Sequence, residues 1–375
     1  MSKNWRHTPL AGPAVNRREL NRALAAFGLA AVTVPVAVRT PQAAGKTMHF
    51  TWAGYDDPAF YTSYIEKHGA APDFTLFGEE EEALQKLRTG FVPDTAAPCS
   101  YSVPRWRDAG VLEPIDTSKL SNYADVIPNL KNIRGMTDDQ GTWFVPVDWG
   151  NSTVVYRADL VDEKYQTDNS WTILWDERYA GRLGMFDSVD GAVAVAGLVA
   201  GFRDAAYSMN DEQLQVAKEL LSKQRPLLRF YWTDITAVDQ GLASGELVAS
   251  YAWNSSLKRL KEQGLDVKMM NPKEGILTWV CGLVKIKNGP GDVEAAYDLI
   301  NAHISPESGK YEIENWGYGH SNIKAYDMVD EKNLTDVGLT KDVNAFLASG
   351  VFIESIEAAT REKYIAMFDE VKAGY

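Results

Sequence analysis

A chain of 375 residues with 51 acidic and 38 basic side chains carries a formal charge of −13, which repels nucleic acid and anionic lipid and favours cations. Its 11 Trp, 17 Tyr and 13 Phe, within a hydrophobic fraction of 45%, supply ample material for burial, and the length exceeds one usual hydrophobic core, so two lobes are expected. Two cysteines alone exclude a disulfide framework and a cysteine-rich zinc site.

Residues 1–45 read as an export signal. Arg17 and Arg18 stand in the run Asn-Arg-Arg-Glu-Leu-Asn-Arg, an apolar stretch runs from Ala23 to Val38, and Ala43 and Gly45 flank a cleavage site. The stretch is shorter than the ~20 residues of a bilayer span, so a twin-arginine signal is favoured over a transmembrane helix or a buried N-terminal helix. No cysteine near the cleavage point is placed to take a lipid, and a periplasmic protein free of a membrane anchor is expected. Cleavage leaves 32 of the 38 basic and 50 of the 51 acidic residues, a formal charge of −18.

The mature part alternates short apolar runs with helical stretches, the pattern of an α/β protein with mixed, mostly parallel sheets. Strands are expected over Met48 to Trp52, Phe74 to Phe77, Trp143 to Val147, Thr153 to Arg157, Leu183 to Phe186, Leu247 to Trp253 and Thr278 to Ile286. A helix is expected from Glu79 to Leu87, opened by four glutamates that complement its positive dipole end; the run reads as a solvated helix start rather than a metal site. Leu214, Val216, Ala217, Leu220 and Leu221 give helical spacing to Asp211 to Lys223, and Glu354 to Val371 reads as a C-terminal helix. Cys99 and Cys281 are either one bridge or two buried thiols, since separation along the chain says nothing about distance in space.

Catalytic signatures are missing. His7, His49, His68, His303 and His320 show no H-E-x-x-H spacing, and there is no G-x-S-x-G, P-loop or G-x-G-x-x-G. Ser255 to Lys258 fits S-x-x-K without its companion motifs, so Asn254, Ser255 and Ser256 are read as a helix N-cap after a strand. No catalytic residue, metal or cofactor is expected. Aromatic residues instead gather where strands end: Trp52 with Tyr55, Tyr101, Trp149, Trp232, Trp253, Trp279, and Trp316 with Tyr318. Ligands of open α/β sheets bind beyond the carboxyl ends of strands, so rings there line clefts while rings within strands fill cores. Along Thr278 to Ile286, Trp279 and Cys281 share one face.

These segments resemble the spermidine/putrescine-binding family of periplasmic solute-binding proteins that serve ABC importers. The similarity runs through Phe50-Thr-Trp-Ala-Gly-Tyr55, Glu79 to Arg88, Ala97-Pro-Cys-Ser-Tyr-Ser-Val103, Gly110-Val-Leu-Glu-Pro-Ile-Asp116, Val145-Pro-Val-Asp-Trp-Gly150 and Ser170-Trp-Thr-Ile-Leu-Trp175. It continues through Ala252-Trp-Asn-Ser255, Pro272-Lys-Glu-Gly275 with Trp279, and Trp316-Gly-Tyr318. The resemblance implies a two-lobe, type II-like periplasmic-binding-protein fold hinged by crossing strands, with 46–150 plus 278–326 as one lobe and 151–277 plus 327–375 as the other. It places the family's binding aromatics on Trp52, Tyr55, Tyr101, Trp253, Trp279 and Tyr318; Cys99, Ser100 and Cys281 beside them, and the acids Asp148 and Asp187, complete the ligand-contact candidates.

Where the family's polyamine binders carry acids, this chain has Cys281, Ser188 and Gly191, and a pocket serine becomes Cys99. A buried primary ammonium needs charge-paired acceptors, which Asp148, Asp187, Asp190 or Asp234 would have to supply. The expected function is capture of a small, polyamine-like organic cation by a monomer that passes it to an inner-membrane ABC permease. A quaternary ammonium or zwitterion such as a betaine is the alternative ligand, since ring faces satisfy a cation that donates no strong hydrogen bonds. The competing class is a Tat-exported periplasmic enzyme.

Overall fold

The computed structural model describes residues 47–374 apart from Glu79, so the export-signal segment 1–45 lies outside the described residues. The central sheet is mixed. Strand β1 (Met48–Trp52) pairs in parallel with β2 (Asp73–Phe77) and β3 (Thr95–Ala96). Next come β4 (Val145–Arg157), β5 (Leu183–Phe186), β6 (Leu228–Trp232), β7 (Ala249–Trp253), β8 (Leu277–Ile286) and the short β9 (Gly319–His320). Their spatial order is β2-β1-β3-β8-β4-β7-β5-β6, with β9 also on β4.

The two strands expected at Trp143 to Val147 and Thr153 to Arg157 are one strand of 13 residues, buried from Val145 to Tyr156. The polar stretch Asp148-Trp149-Gly150-Asn151-Ser152 looks like a connection in sequence. It stays extended because β8 hydrogen-bonds along it antiparallel, from Leu277 opposite Ser152 to Leu283 opposite Val145. β8 then continues onto β3 through Val284 and Lys285, so β4 and β8 belong to both halves of the sheet. The strand β6 was not foreseen: Leu-Arg-Phe-Tyr-Trp is short, carries an exposed Arg229, and only Trp232 is fully buried.

Helices cover the sheet. They include α1 (Glu80–Arg88), α2 (Asp211–Gln224), α3 (Asn254–Glu262), α4 (Val293–His303), α5 (Pro306–Trp316) and α6 (Ala358–Ala373). α2 opens on a capping box in which the Asn210 side chain takes the Gln213 amide and Gln213 returns to the Asn210 backbone. α5 has Ser305 as its cap and Pro306 in its first turn, and it stops at Gly317, whose φ of 74° suits glycine.

Apolar side chains form three clusters. One joins Trp171, Tyr251, Leu221 and Phe368 beneath β5 and β7. A second joins Phe50, Trp106, Trp149 and Val284 and takes in Leu334 to Leu347; a third holds Tyr55, Phe60, Tyr61 and Leu299.

The cap assigned to Asn254 is corrected by the structure. Trp253 occupies the N-cap position without a capping side chain, and Asn254 is the first helical residue, wholly buried. Its Nδ2 donates to the Gly317 carbonyl, and its Oδ1 accepts the Asn151 backbone amide at 3.1 Å. One amide thus ties β4, α3 and the end of α5. Asn254→Ala would strand a buried N–H and a buried C=O, an expected loss of about 2–4 kcal/mol. The check is a urea midpoint lowered at unchanged m-value.

Candidate functional site

Strand ends and the β4–β8 crossing enclose a cavity of about 500 Å³, within the usual range for small-molecule sites. Trp52 closes β1, Trp253 closes β7, and Trp279 stands third in β8; all three line the cavity. Tyr55 sits in the turn after β1, where its amide donates to the Trp52 carbonyl at 3.2 Å. Tyr101 follows the Cys99 bend, Tyr318 follows α5, and both face the same space. The six aromatic positions implied by the family resemblance therefore meet in one place.

Period-two alternation explains which neighbours join them. On β4, Asp148 and Ser152 line the cavity, while Trp149 points the other way into the core and donates its indole N–H to the His320 carbonyl at 3.3 Å. On β7, Tyr251 shares the wall with Trp253, and Phe186 ends β5 beside them, its ring centroid 5.8 Å from that of Trp253. The rings of Trp279 and Tyr318 meet edge to face at 4.8 Å, and Trp316 lies 4.8 Å from Tyr55. Gly150 is required here: a Cβ on it would run into the Trp279 indole and lie 2.8 Å from the Asn254 Oδ1.

Several candidates fall elsewhere. Trp232 is core, with its N–H on the Tyr251 carbonyl at 3.2 Å. Asp187 is not on the cavity wall, because Lys372 holds its carboxylate at 2.8 Å; Ser100 is buried but likewise off the wall. Asp234 caps a helix through the Thr236 amide. Ser188 and Gly191, which the family resemblance sets at acid positions, do line the cavity and bring no charge to it.

Cys99 and Cys281 are joined in a disulfide, which settles the alternative the sequence leaves open, and the bridge itself lines the cavity.

Three carboxylates and two guanidinium groups remain at the wall. Asp190 is paired bidentately with Arg361 at 2.8 and 2.9 Å. Glu80, buried although its run reads as solvated, accepts the Cys99 amide at 2.5 Å and the Ser102 hydroxyl, while Arg105 pairs with Glu81 at 2.8 Å. Asp148 is different. It lies 3% exposed, accepts the Tyr55 hydroxyl at 2.6 Å, and has no cationic partner among the described residues. Burial raises its carboxyl to about 6, against the opposing pull of the Tyr55 hydrogen bond. Burial likewise pushes the Tyr55, Tyr101 and Tyr318 phenols up, so they stay neutral.

Asp190, one of the four acids named from sequence, does line the cavity, whereas Glu80, Arg105, Phe186, Tyr251 and Arg361 were not assigned to the site from sequence. Phe186 was findable, since it ends a strand by the same rule that finds Trp52 and Trp253. Arg361 was not, because it meets Asp190 across 171 residues of chain.

Over residues 66–341 the chain matches the bacterial extracellular solute-binding proteins. It belongs to that family. Like other extracellular solute-binding proteins it works outside the cytoplasm, and none of the described helices is long and apolar enough to cross a membrane. It is 26% identical over 335 residues to the spermidine/putrescine-binding periplasmic protein of Escherichia coli, covering 88% of this chain and 92% of that one. A putrescine/agmatine-binding protein of Pseudomonas aeruginosa is 25% identical over 306 residues, 77% of this chain and 82% of that one. The Streptococcus pneumoniae spermidine/putrescine substrate-binding protein shares the fold at a TM-score of 0.76 and 22% identity, covering 88% of this chain and 99% of that one.

The bridge closes a sequence separation of 182 residues, which chain entropy values at up to about 5 kcal/mol. Thiol titration of denatured, unreduced protein is expected to find no free thiol, and reduction is expected to lower the urea midpoint. Two titratable thiols would show the cysteines to be unbridged.

Proposed function

We propose that this solute-binding protein captures a small organic cation of the polyamine type in the aromatic cavity and delivers it to an ABC permease in the inner membrane. The observation that carries this reading is the convergence of Trp52, Tyr55, Tyr101, Trp253, Trp279 and Tyr318 around a space whose wall includes Asp148, a buried carboxylate with no cationic partner among the described residues. Ring faces attract an ammonium or alkylammonium group at roughly 0.5–2 kcal/mol each, most strongly where water is excluded. The names of the relatives from E. coli and P. aeruginosa point to the same ligand class.

The two-lobe partition, 46–150 with 278–326 against 151–277 with 327–375, is carried forward as part of this proposal. β4 and β8 serve as the shared hinge, and because Leu334, Val337, Leu339, Val343 and Leu347 pack with Phe50, Trp106 and Val284, the stretch 334–347 is reassigned in this proposal from the second lobe to the first. Delivery follows if ligand held between the halves favours a closed form that the permease recognises. The protein acts as a periplasmic monomer.

A second reading is favoured by Arg361 and Arg105 at the same wall as Asp148. An ammonium at Asp148 and a carboxylate near the guanidinium groups would make a zwitterion, such as a betaine or an ω-amino acid, the preferred ligand.

The deciding experiment is calorimetry with putrescine, spermidine, agmatine, glycine betaine and γ-aminobutyrate, followed by mass analysis of the recovered ligand. A bound cation recovered intact supports a transport protein; chemical turnover would indicate an exported enzyme. At a hundredfold excess over Kd, ligand should stabilise the protein by about 2.7 kcal/mol, read as a rise in Tm. Trp279→Ala and Trp253→Ala are each expected to weaken binding at least tenfold while the circular dichroism spectrum is kept. Unchanged affinity would make these rings packing rather than recognition.

A further inference from the structure

Behind Asp148 lies a second carboxylate that the cavity does not touch. Glu312, on α5, is wholly buried, and its Oε1 stands 3.3 Å from the same Tyr55 hydroxyl that donates to Asp148 at 2.6 Å. One phenol has one proton to donate and cannot satisfy both acids. Glu312 Oε2 has no hydrogen-bond partner, and no lysine or arginine pairs with either carboxylate among the described residues.

The titratable groups facing the pair bring no positive charge, and Arg259, which acts on Tyr318 from α3, is paired with Asp239 at 2.7 Å. Tyr55 and Tyr61 face it from the segment after β1, and Tyr318 from the turn after α5. His320 stands opposite Asp148 in the β9–β4 register, and the ring of His303 on α4 is 6.1 Å from that of Tyr55. Burial depresses both imidazoles, His320 to about 4, so they are neutral. Cys281, across β8 from Asp148, is locked in the bridge and does not titrate.

We propose that Asp148 and Glu312 share one proton, so that the pair presents a single negative charge through Asp148 to one ammonium group of the ligand, and that a second proton taken from solvent displaces the ligand in acid. This rests on the cation reading above and deepens it by naming the anchor and its regulation. Glu312 is a positioning residue. It keeps its proton, while Asp148 meets the ammonium, and the pair avoids two uncompensated charges in one dry site.

The directions of the individual shifts agree. Burial raises both acids, and the Asp148 charge raises Glu312 further. The sign follows from linkage. In the free protein Asp148 takes its proton near pH 6, whereas a bound cation lowers that value. Affinity is then full above about pH 7 and falls on acidification, with one proton released per ligand bound at low pH.

The test is isothermal titration of the full mature chain with putrescine, γ-aminobutyrate and glycine betaine between pH 7.5 and 5.0, in buffers of differing ionisation heat. These amines stay cationic throughout. Affinity for the bound probe is expected to fall about tenfold by pH 5.0, with proton release approaching one per ligand. Asp148→Asn should lose at least tenfold in affinity at pH 7.5 and lose the acid dependence with it. Infrared difference spectra of wild type against Glu312→Gln at pH 7 should show a protonated carboxyl that belongs to Glu312. Equal affinity at pH 7.5 and 5.0, or a fully ionised pair at pH 7, would overturn the proposal. Binding of none of the probes at pH 7.5 would instead remove the cation reading, and the proposal with it, even if the infrared band were present.

Discussion

The antiparallel register of β8 on β4 is the constraint on which the site depends. It sets Trp279 opposite Gly150 and Cys281 opposite Asp148, so an indole, a disulfide and a carboxylate share one wall by backbone pairing alone. Each has a condition. The indole needs the missing Cβ of Gly150, and the bridge needs the Cys99 bend beside β8. The carboxylate needs the Tyr55 hydroxyl, which arrives from the turn after β1. A slip of one residue would turn each of these side chains to the opposite face, where Trp149 and Val280 are now packed in the core. Asn254 opposes such a slip by binding both the Asn151 amide and the Gly317 carbonyl.

Electrostatics then divide the cavity into parts that are already satisfied and one that is not. Asp190 with Arg361, and Arg105 with Glu81, are internally neutral pairs, and Glu80 spends its acceptors on the Cys99 amide and the Ser102 hydroxyl. A cation approaching any of these has to compete with a partner in place. At Asp148 it meets a carboxylate whose main company is a phenol and a second acid. In the proposed binding mode the cost of desolvating an ammonium is offset there by charge pairing as well as by ring faces.

Much of the fold was legible because its elements follow simple periodicities. β1 and β5 keep the bounds read from alternating apolar runs, and α2 extends the expected helix by one residue. The resemblance placed six aromatics that do line one cavity, since a residue at a strand's end keeps its position when neighbouring loops change. What was not legible is tertiary in origin. The polar middle of β4 is extended only because β8 pairs with it. Asp187 was drawn off by Lys372 from the C-terminal helix, and Asn254 became a tie rather than a cap because Gly317 lies within its reach. The state of the two cysteines also depended on approach in space, which no spacing rule supplies. Glu312 sits on an amphipathic helix whose pattern gives no reason to place an acid inside.

A disulfide and small residues at the wall, where the family resemblance implies three acids, bear on how the proposed site would select its ligand. A salt-bridging acid fixes a primary ammonium at one distance and direction, whereas an aromatic face accepts a cation over a broad area and tolerates alkyl groups on nitrogen. With Cys281, Ser188 and Gly191 at the wall, the rings set the outline of the cavity and say little about the number of charges. Charge selection then falls to Asp148. If Glu312 were ionised as well, the site would carry a second uncompensated charge that a bound cation could not meet directly, because Glu312 itself does not reach the cavity. The proposed single proton on the pair removes that mismatch: one negative charge remains, on Asp148 at the cavity wall, and one ligand end would be held there while the rest of the molecule lies against indole and phenol faces.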